Sequence, residues 1–190
     1  MDEDFQLLES FKKGDDKSFE QLVTKHKSRV FNIVYSITGN RHEADEIAQE
    51  VFLKVYLSAG SFKHKSSFST WLYRITVNKC LDSLKRNKPV SLESELNYEE
   101  SLKLKDVLDS REESPEDKMI KKEGQEIIQK ILNSLPQKYR VAWTLREIEN
   151  FTYTEISQIM NISINKVKVW LYRARLKLKE KLLLRTGEEL

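Results

Sequence analysis

Cysteine occurs once in the 190 residues, at Cys80. A single thiol cannot close an intrachain disulfide or furnish a cysteine-rich zinc module. Its neighbours include apolar side chains, so Cys80 reads as a small buried hydrophobe. Glycine and proline are also sparse, at 5 and 3, together about half of average usage. A turn-rich β sandwich, a collagen and a disordered low-complexity chain all need more of both. No apolar run approaches the roughly 20 residues of a membrane span. The N-terminal stretch MDEDFQLLESFKKG is acidic and lacks the apolar core of a secretory signal, so a cytoplasmic protein is expected. Nor is there a nucleophile–base pair, a phosphate-cradling glycine loop or a cysteine metal cluster. No enzyme activity, cofactor or small-molecule substrate is therefore expected.

What the chain does have is charge, 33% of residues against 39% hydrophobic, and it is unevenly spread. Residues 1–90 hold 15 Lys and Arg against 12 Asp and Glu, residues 91–126 hold 6 against 12, and residues 127–190 hold 12 against 6. Two basic blocks flank an acidic one, and basic blocks point to nucleic acid or another polyanion.

Apolar spacing is helical throughout. A first helix is expected over Asp16–Thr38, with Phe19, Leu22, Val23, His26, Val30, Ile33, Val34 and Ile37 on one stripe and Gly39 as its left-handed cap. His26 in that stripe reads as a packed histidine. A second begins at Asn40, with Glu43 completing a capping-box pattern, and buries Ala44, Ile47, Val51 and Val55. After a loop, Ser58–Phe68, Ser69 is expected to cap a third helix reaching Arg86. Its inner face is Leu72, Ile75, Leu81 and Leu84, and Arg74, Asn78, Asp82 and Lys85 form a separate polar stripe. Residues 87–113 break the pattern: Pro89 ends the helix and the stretch is acidic, so 89–113 reads as a flexible linker. Ser114-Pro115-Glu116-Asp117 announces a new helix ending near Asn133. Another is expected from Gln137 to Ile148. Thr152 and Glu155 then form a capping box, Asn161 suits a left-handed turn, and Ser163 caps a last helix burying Val167, Leu171, Ala174 and Leu178. This is a helix–turn–helix with its second helix in the recognition position.

That recognition helix presents Asn165, Lys166, Lys168, Val169, Tyr172, Arg173 and Arg175. Lysine and arginine neutralise phosphates, and Asn and Arg also read base edges in the major groove; the plain alternative is a solvated basic helix. Trp170 packs inward or meets DNA. Between Phe62 and Arg86, aromatic and basic residues mix: Phe62, Lys63, His64, Lys65, Phe68, Trp71, Tyr73 and Arg74. Unpaired bases stack on such rings and the backbone needs such cations, while the alternative places Phe68 and Trp71 in the core. His64 sits among lysines, not beside an acid, and so does not look like a general base. The acidic helix Glu43–Glu50 has three readings: a carboxylate metal site around His42 and Glu46, a solvated face, or a dock for a basic partner.

Two blocks together resemble the extracytoplasmic-function (ECF) sigma factors of bacterial RNA polymerase. The first is ITGNRHEADEIAQEVFLKVY with FSTWLYRITVNKCLDSLKR. The second is LNSLPQKYRVAWTLREIENFTYTEISQIMNISINKVKVWLYRARLKLKEKL. The resemblance runs over nearly all of residues 16–182. It implies an all-α chain of two small helical domains joined by a flexible acidic linker, the second containing the helix–turn–helix: region 2 over 1–88, linker over 89–113, region 4 over 114–190. It implies partners as well: core RNA polymerase, through the largest-subunit coiled coil and the flap, promoter DNA and an anti-sigma factor, often membrane-bound. Asp45, Glu46, Gln49, Glu50 and Leu53 would grip polymerase. Lys63, His64, Lys65, Ser66, Phe68, Trp71, Arg74, Asn78, Lys85 and Arg86 would melt and read the −10 element around a flipped base. Residues Asn165 to Arg175 of the recognition helix would read the −35 element as duplex. The chain departs from the family's usual residues at Asp45-Glu46 and at Asn165-Lys166-Val167-Lys168-Val169. Rival readings are a helix–turn–helix repressor, a metal-dependent helical enzyme using the 42–50 carboxylates, and a protein that only sequesters a partner.

Overall fold

The computed structural model describes residues 3–86 and 129–186, with side chains through Lys181. The expected linker, the helix start at Ser114 and Pro115, and Gly124 lie outside these residues. Among the described residues every regular element is helical.

Helix α1, Glu3–Lys12, has no counterpart among the expected elements. It buries Leu8 and Asp4 and sets Phe11 against Phe19 and Tyr56, with ring centroids 4.9 and 5.0 Å apart. Helix α2 is Asp16–Thr38, as its spacing predicts. Asp15 caps it by accepting from the Lys17 N–H, and Gly39, at φ 73°, closes it by donating to the Tyr35 carbonyl. Leu22, His26, Val30, Ile33, Val34 and Ile37 are buried. Helix α3, Arg41–Ser58, starts from Asn40, whose side chain accepts from the Glu43 N–H. The Asn40 N–H turns back to Thr38 Oγ1, and the Glu43 carboxylate accepts from the Ser83 hydroxyl. Ala44, Ile47, Val51 and Val55 are buried as expected, and a fully buried valine or isoleucine side chain contributes roughly 1.5–3 kcal/mol.

Helix α4, Phe68–Arg86, differs from expectation at its start and on its face. Ser67 is the cap, accepting from the Thr70 N–H at 3.1 Å, so Ser69 falls inside the first turn. The buried face is Phe68, Leu72, Tyr73, Thr76, Val77 and Cys80, while Ile75, Leu81 and Leu84 are half-buried. The cause is that α4 is packed from two sides, against α2 and α3 and also against a helix of the second unit. Burial pushes the Cys80 thiol far up from its ordinary value, with Glu43 adding to the shift, so it stays a neutral hydrophobe.

The second unit starts with the helix end 129–133 (α5). Next comes α6, Gln137–Trp143, which continues as a π turn over Thr144–Ile148. The expected single helix is therefore α-helical for seven residues and π-helical for five. The Glu149 N–H reaches five residues back to the Thr144 carbonyl at 3.0 Å. Helix α7 is Tyr153–Met160, and its capping box is complete: Thr152 N–H to Glu155 at 2.8 Å, Glu155 N–H to Thr152 Oγ1 at 3.3 Å. Asn161, at φ 54°, makes the left-handed turn. The hydroxyl of Ser163 accepts from the Lys166 N–H and caps α8, Ile164–Thr186. Val167, Leu171, Ala174 and Leu178 are buried on its inner side.

The sequence leaves the mutual placement of the units open, and here they share one core. A continuous cluster runs from Leu8 through α2, α3 and α4 into Val141, Leu145, Phe151, Ile156 and Ile159, then Val167 and Leu171. A second cluster joins Ile131, Leu132, Leu135 and Tyr139 to Ala174 and Leu178.

Candidate nucleic-acid and protein interfaces

Helix α3 buries one stripe and turns Asp45, Glu46, Gln49, Glu50 and Leu53 outward. Leu53 is 59% exposed and Leu57 73%, with Tyr56 beside them. Asp45 and Gln49 line a groove between α2 and α3, with Lys27, Phe31, Arg41 and Phe52. Apolar surface rimmed by charge marks a protein-docking site. The acidic residues are not equivalent. Glu50 pairs with Lys79 of α4 at 2.6 Å, and that hydrogen bond holds its carboxyl below the usual range. Glu46 faces His42 at 3.5 Å, both largely in solvent. Among the described residues no three His, Cys, Asp or Glu gather as a metal site requires.

The loop before α4 leaves Lys63, His64 and Lys65 exposed and Ser66 half-buried. Contrary to expectation, His64 does sit beside an acid: its Nε2 lies 3.3 Å from Glu9 of α1. Its backbone is left-handed, at φ 55°, and its ring meets Phe5 and Phe62 at 4.6 and 4.8 Å. Lys12, bonded to Glu9, lowers that carboxyl's pKa, and His64 adds to the effect. Phe68 is a core residue, 2% exposed, and offers no ring face to a base in this conformation. Phe62, 7% exposed, is buried too. Trp71 is half-buried against both, so the aromatic surface at this loop is thinner than the composition suggests.

Along α4, Asn78, Lys85 and Arg86 are exposed. Lys85 lies 3.7 Å from Asp82. Arg74 is half-buried, and its Nε donates to the Gln158 carbonyl of α7 at 3.1 Å. On α8, Asn165, Lys166, Lys168 and Val169 are exposed in the first two turns. Tyr172 is half-buried, as is Arg173, which donates to the Tyr139 hydroxyl at 3.2 Å. Arg175 bonds Glu147 at 2.7 Å. Burial opposes the Arg175 charge, and the Glu147 carboxylate outweighs it, raising the pKa. Arg175 thus ties α8 to the π turn. Trp170 packs against both clusters.

His26 is packed, as its place in the apolar stripe predicts, and the sequence carries no sign of its polar partners or of Arg140, Arg29 and Glu149. His26 is buried between Asp4, at 2.8 Å, and the Tyr73 hydroxyl, at 3.1 Å. Arg140 is buried, 5% exposed. It donates to the carbonyls of Ile37, Asn133 and Leu135, and burial lowers its pKa. Phe151 had a usable signal: it precedes the Thr152 cap, with Ile156 four residues into the helix region, the pattern of a hydrophobic staple. Arg29 and Glu149 had none, since their pairing crosses 120 residues.

Residues 22–90 match the Sigma-70 region 2 family and residues 125–178 match Sigma-70, region 4. The chain is 35% identical over 176 residues to the ECF RNA polymerase sigma factor SigW of Bacillus subtilis, covering 92% of this chain and 94% of that one. It is 35% identical over 178 residues to the ECF RNA polymerase sigma-E factor of Escherichia coli K12, covering 89% and 88%. Two solved structures share the fold. CnrH, in complex with the cytosolic domain of CnrY, superposes with a TM-score of 0.71 at 21% identity over 95% of this chain and 97% of that one. The sigma factor RpoE of Bartonella quintana, in complex with the anti-sigma factor NepR, gives 0.62 at 21% over 87% and 97%. With both sigma-70 regions in order and full-length relatives of one kind, the chain belongs to the ECF sigma factors, which direct RNA polymerase to promoters.

Proposed function

We propose a division of labour among three surfaces of this sigma factor. The α3 face of Asp45, Glu46, Gln49 and Leu53, with its groove, docks core polymerase. The loop 63–66 with Arg74, Asn78, Lys85 and Arg86 of α4 engages the −10 element as a single strand. Asn165, Lys166, Lys168 and Val169 enter the −35 major groove, with Arg173 at its edge. Units divide at 1–88 and 114–190, with the acidic segment 89–113 threading along polymerase. The protein works in the cytoplasm as a non-catalytic subunit and is restrained by an anti-sigma factor, as RpoE of B. quintana is bound by NepR.

The observation that carries this reading is Asn78. It is the exposed amide on α4, one turn beyond Arg74. An amide donates and accepts together, which suits the edge of an extruded base. Run-off transcription with core polymerase on promoters carrying a pre-melted −10 bubble tests it. Asn78→Ala should flatten base preference at −10 on these templates. Unchanged preference would remove Asn78 from the reading surface.

A further inference from the structure

The loop joining α3 to α4 has firm ends and a sparsely tied middle. At its start the Phe62 N–H donates to the Ala59 carbonyl at 3.2 Å, closing the 3-10 turn Ala59–Ser61. At its finish Ser67 caps α4, and its hydroxyl meets that of Thr70 at 2.8 Å. Between them, among the described residues, His64 is the member of 63–66 whose side chain reaches another element by an acid or ring contact. The element it reaches is α1. Its ring stands edge-on to Phe5 and to Phe62, and its Nε2 lies 3.3 Å from Glu9. Lys12, one turn beyond Glu9, donates to that carboxylate at 2.9 Å and to the Phe62 carbonyl at 3.5 Å. One turn of α1 thus grips the loop on both sides of Lys63. Helix α1 is itself fixed, by Leu8 in the core and by Asp4 on His26 at 2.8 Å. The His64 backbone is left-handed, at φ 55°. A residue with a Cβ holds that conformation where its surroundings over-determine it.

We propose that Phe5, Glu9 and Lys12 of α1 are positioning residues for the −10 loop: they hold His64 in its left-handed turn and so set −10 base preference from a helix that does not touch DNA. The physical reason is preorganisation. A single strand has many conformations, and a loop as mobile as the strand adds its own ordering cost to binding. A loop free to repack also accommodates several bases, whereas polar groups at fixed positions reject the wrong one. His64 then acts through the backbone it holds, while Lys63 and Lys65, both exposed, and Ser66 are left to meet the strand. Charge fits this role. Glu9 alone would repel a phosphate backbone, and its pairing with Lys12 leaves the clamp neutral overall. The effect on base preference rests on the assignment of 63–66 to the −10 element made above; the clamp of the loop by α1 does not.

Two measurements on the full chain test this. The first needs no DNA. Brief trypsin treatment of the free protein, with products mapped by mass, reads local opening of the loop as the rate of cleavage after Lys63 and Lys65. Glu9→Ala should raise that rate about two- to fivefold, and Phe5→Ala about two- to tenfold, with Tm little changed. His64→Asn, whose side chain tolerates the left-handed turn, should stay closer to wild type than His64→Val, whose branched side chain does not. In a His64→Ala background, Glu9→Ala should add nothing further, because Glu9 acts through His64. The second measurement is run-off transcription with core polymerase on templates pre-melted at −10, carrying each base in turn at the extruded position. Preference among the bases should fall in Glu9→Ala and in Phe5→Ala while polymerase affinity holds. Lys63→Ala and Lys65→Ala, which remove phosphate contacts, should lower output on all templates alike. Wild-type cleavage in both α1 variants overturns the clamp, and so do additive effects of Glu9→Ala and His64→Ala. Preference lost in His64→Asn and kept in both α1 variants would make His64 a direct reader and overturn its positioning role. Preference kept in both α1 variants, with the lysine variants defective, overturns the proposal and leaves the −10 assignment intact. Transcription at wild-type level and preference in all of these variants overturns that assignment, while the clamp stands or falls by the cleavage rates.

Discussion

Glu46 and Glu50 lie about one turn apart on α3, carry the same charge and do different things. Glu50 is committed to Lys79, and Glu46 is in solvent beside His42. From sequence alone both fall outside the apolar stripe and look interchangeable, because helical periodicity reports distance from the core and says nothing of which neighbouring helix supplies a partner. Reversing Glu46 should weaken polymerase binding with little change in Tm. Reversing Glu50 should lower both, because it sets two ammonium groups together at the α3–α4 seam. The Glu50 carboxyl has its pKa lowered by Lys79. Its stabilising effect is therefore fully present above the ordinary carboxylate range and is lost as pH falls through the depressed folded value. The Tm difference between wild type and Glu50→Gln should accordingly be present at pH 7 and vanish at strongly acid pH. A constant difference across that range would mean that packing, not charge, holds the residue. Being partly exposed, the pair is screened, and its effect should be modest.

At the scale of elements, legibility followed capping and periodicity. Helices α2, α3, α7 and α8 were readable because each combines a start signal with an uninterrupted stripe, and Thr152, Asn161 and Ser163 take the backbone roles their chemistry suggests. Helix α1 was missed because ten residues carry too few apolar positions to show a period; Leu8 and Phe11 become informative only once Phe19 and Tyr56 are known to lie opposite. That omission also hid Glu9 from His64. The face of α4 was misjudged for a related reason. Thr76 and Tyr73 are buried by virtue of hydrogen bonds, to the Leu72 carbonyl at 3.0 Å and to His26 at 3.1 Å, that no hydropathy pattern records. On α8 the structure separates the basic residues by depth. Lys168→Ala should cost on the order of 1–3 kcal/mol of −35 affinity if it contacts a base, and leave folding intact. Arg173→Ala should lose affinity and some stability together, because its guanidinium also ties α8 to Tyr139 of α6. Thermal melts alongside duplex binding separate the two, and transcription at wild-type levels from a −35-dependent promoter by both variants would remove them from the reading surface.

As a whole molecule, this sigma factor carries two basic reading units whose separation the free chain does not set to match a promoter. The expected result is weak, salt-sensitive binding to duplex promoter DNA by the protein alone and specific binding only with core polymerase, which supplies the spacing and removes the ordering cost. Fluorescence anisotropy with labelled promoter duplex measures it, and a sequence-specific nanomolar complex without polymerase would contradict it. The sequence revealed the two units through their charge blocks and motifs, but not their contact. A pairing such as Arg29 with Glu149 joins residues whose local surroundings are ordinary on both sides.

The π turn at Thr144–Ile148 gives that contact a dependence on helical winding as well as chemistry. A π turn holds one more residue than the α-helical turn it replaces, and each residue of α-helix advances the chain by about 100°. Wound as ordinary α-helix, the same residues would swing Glu149 and Phe151 by about that angle relative to α6, away from Arg29, with every side chain of the contact still encoded. Phase, set by a single inserted residue, is then what aims region 4 at region 2.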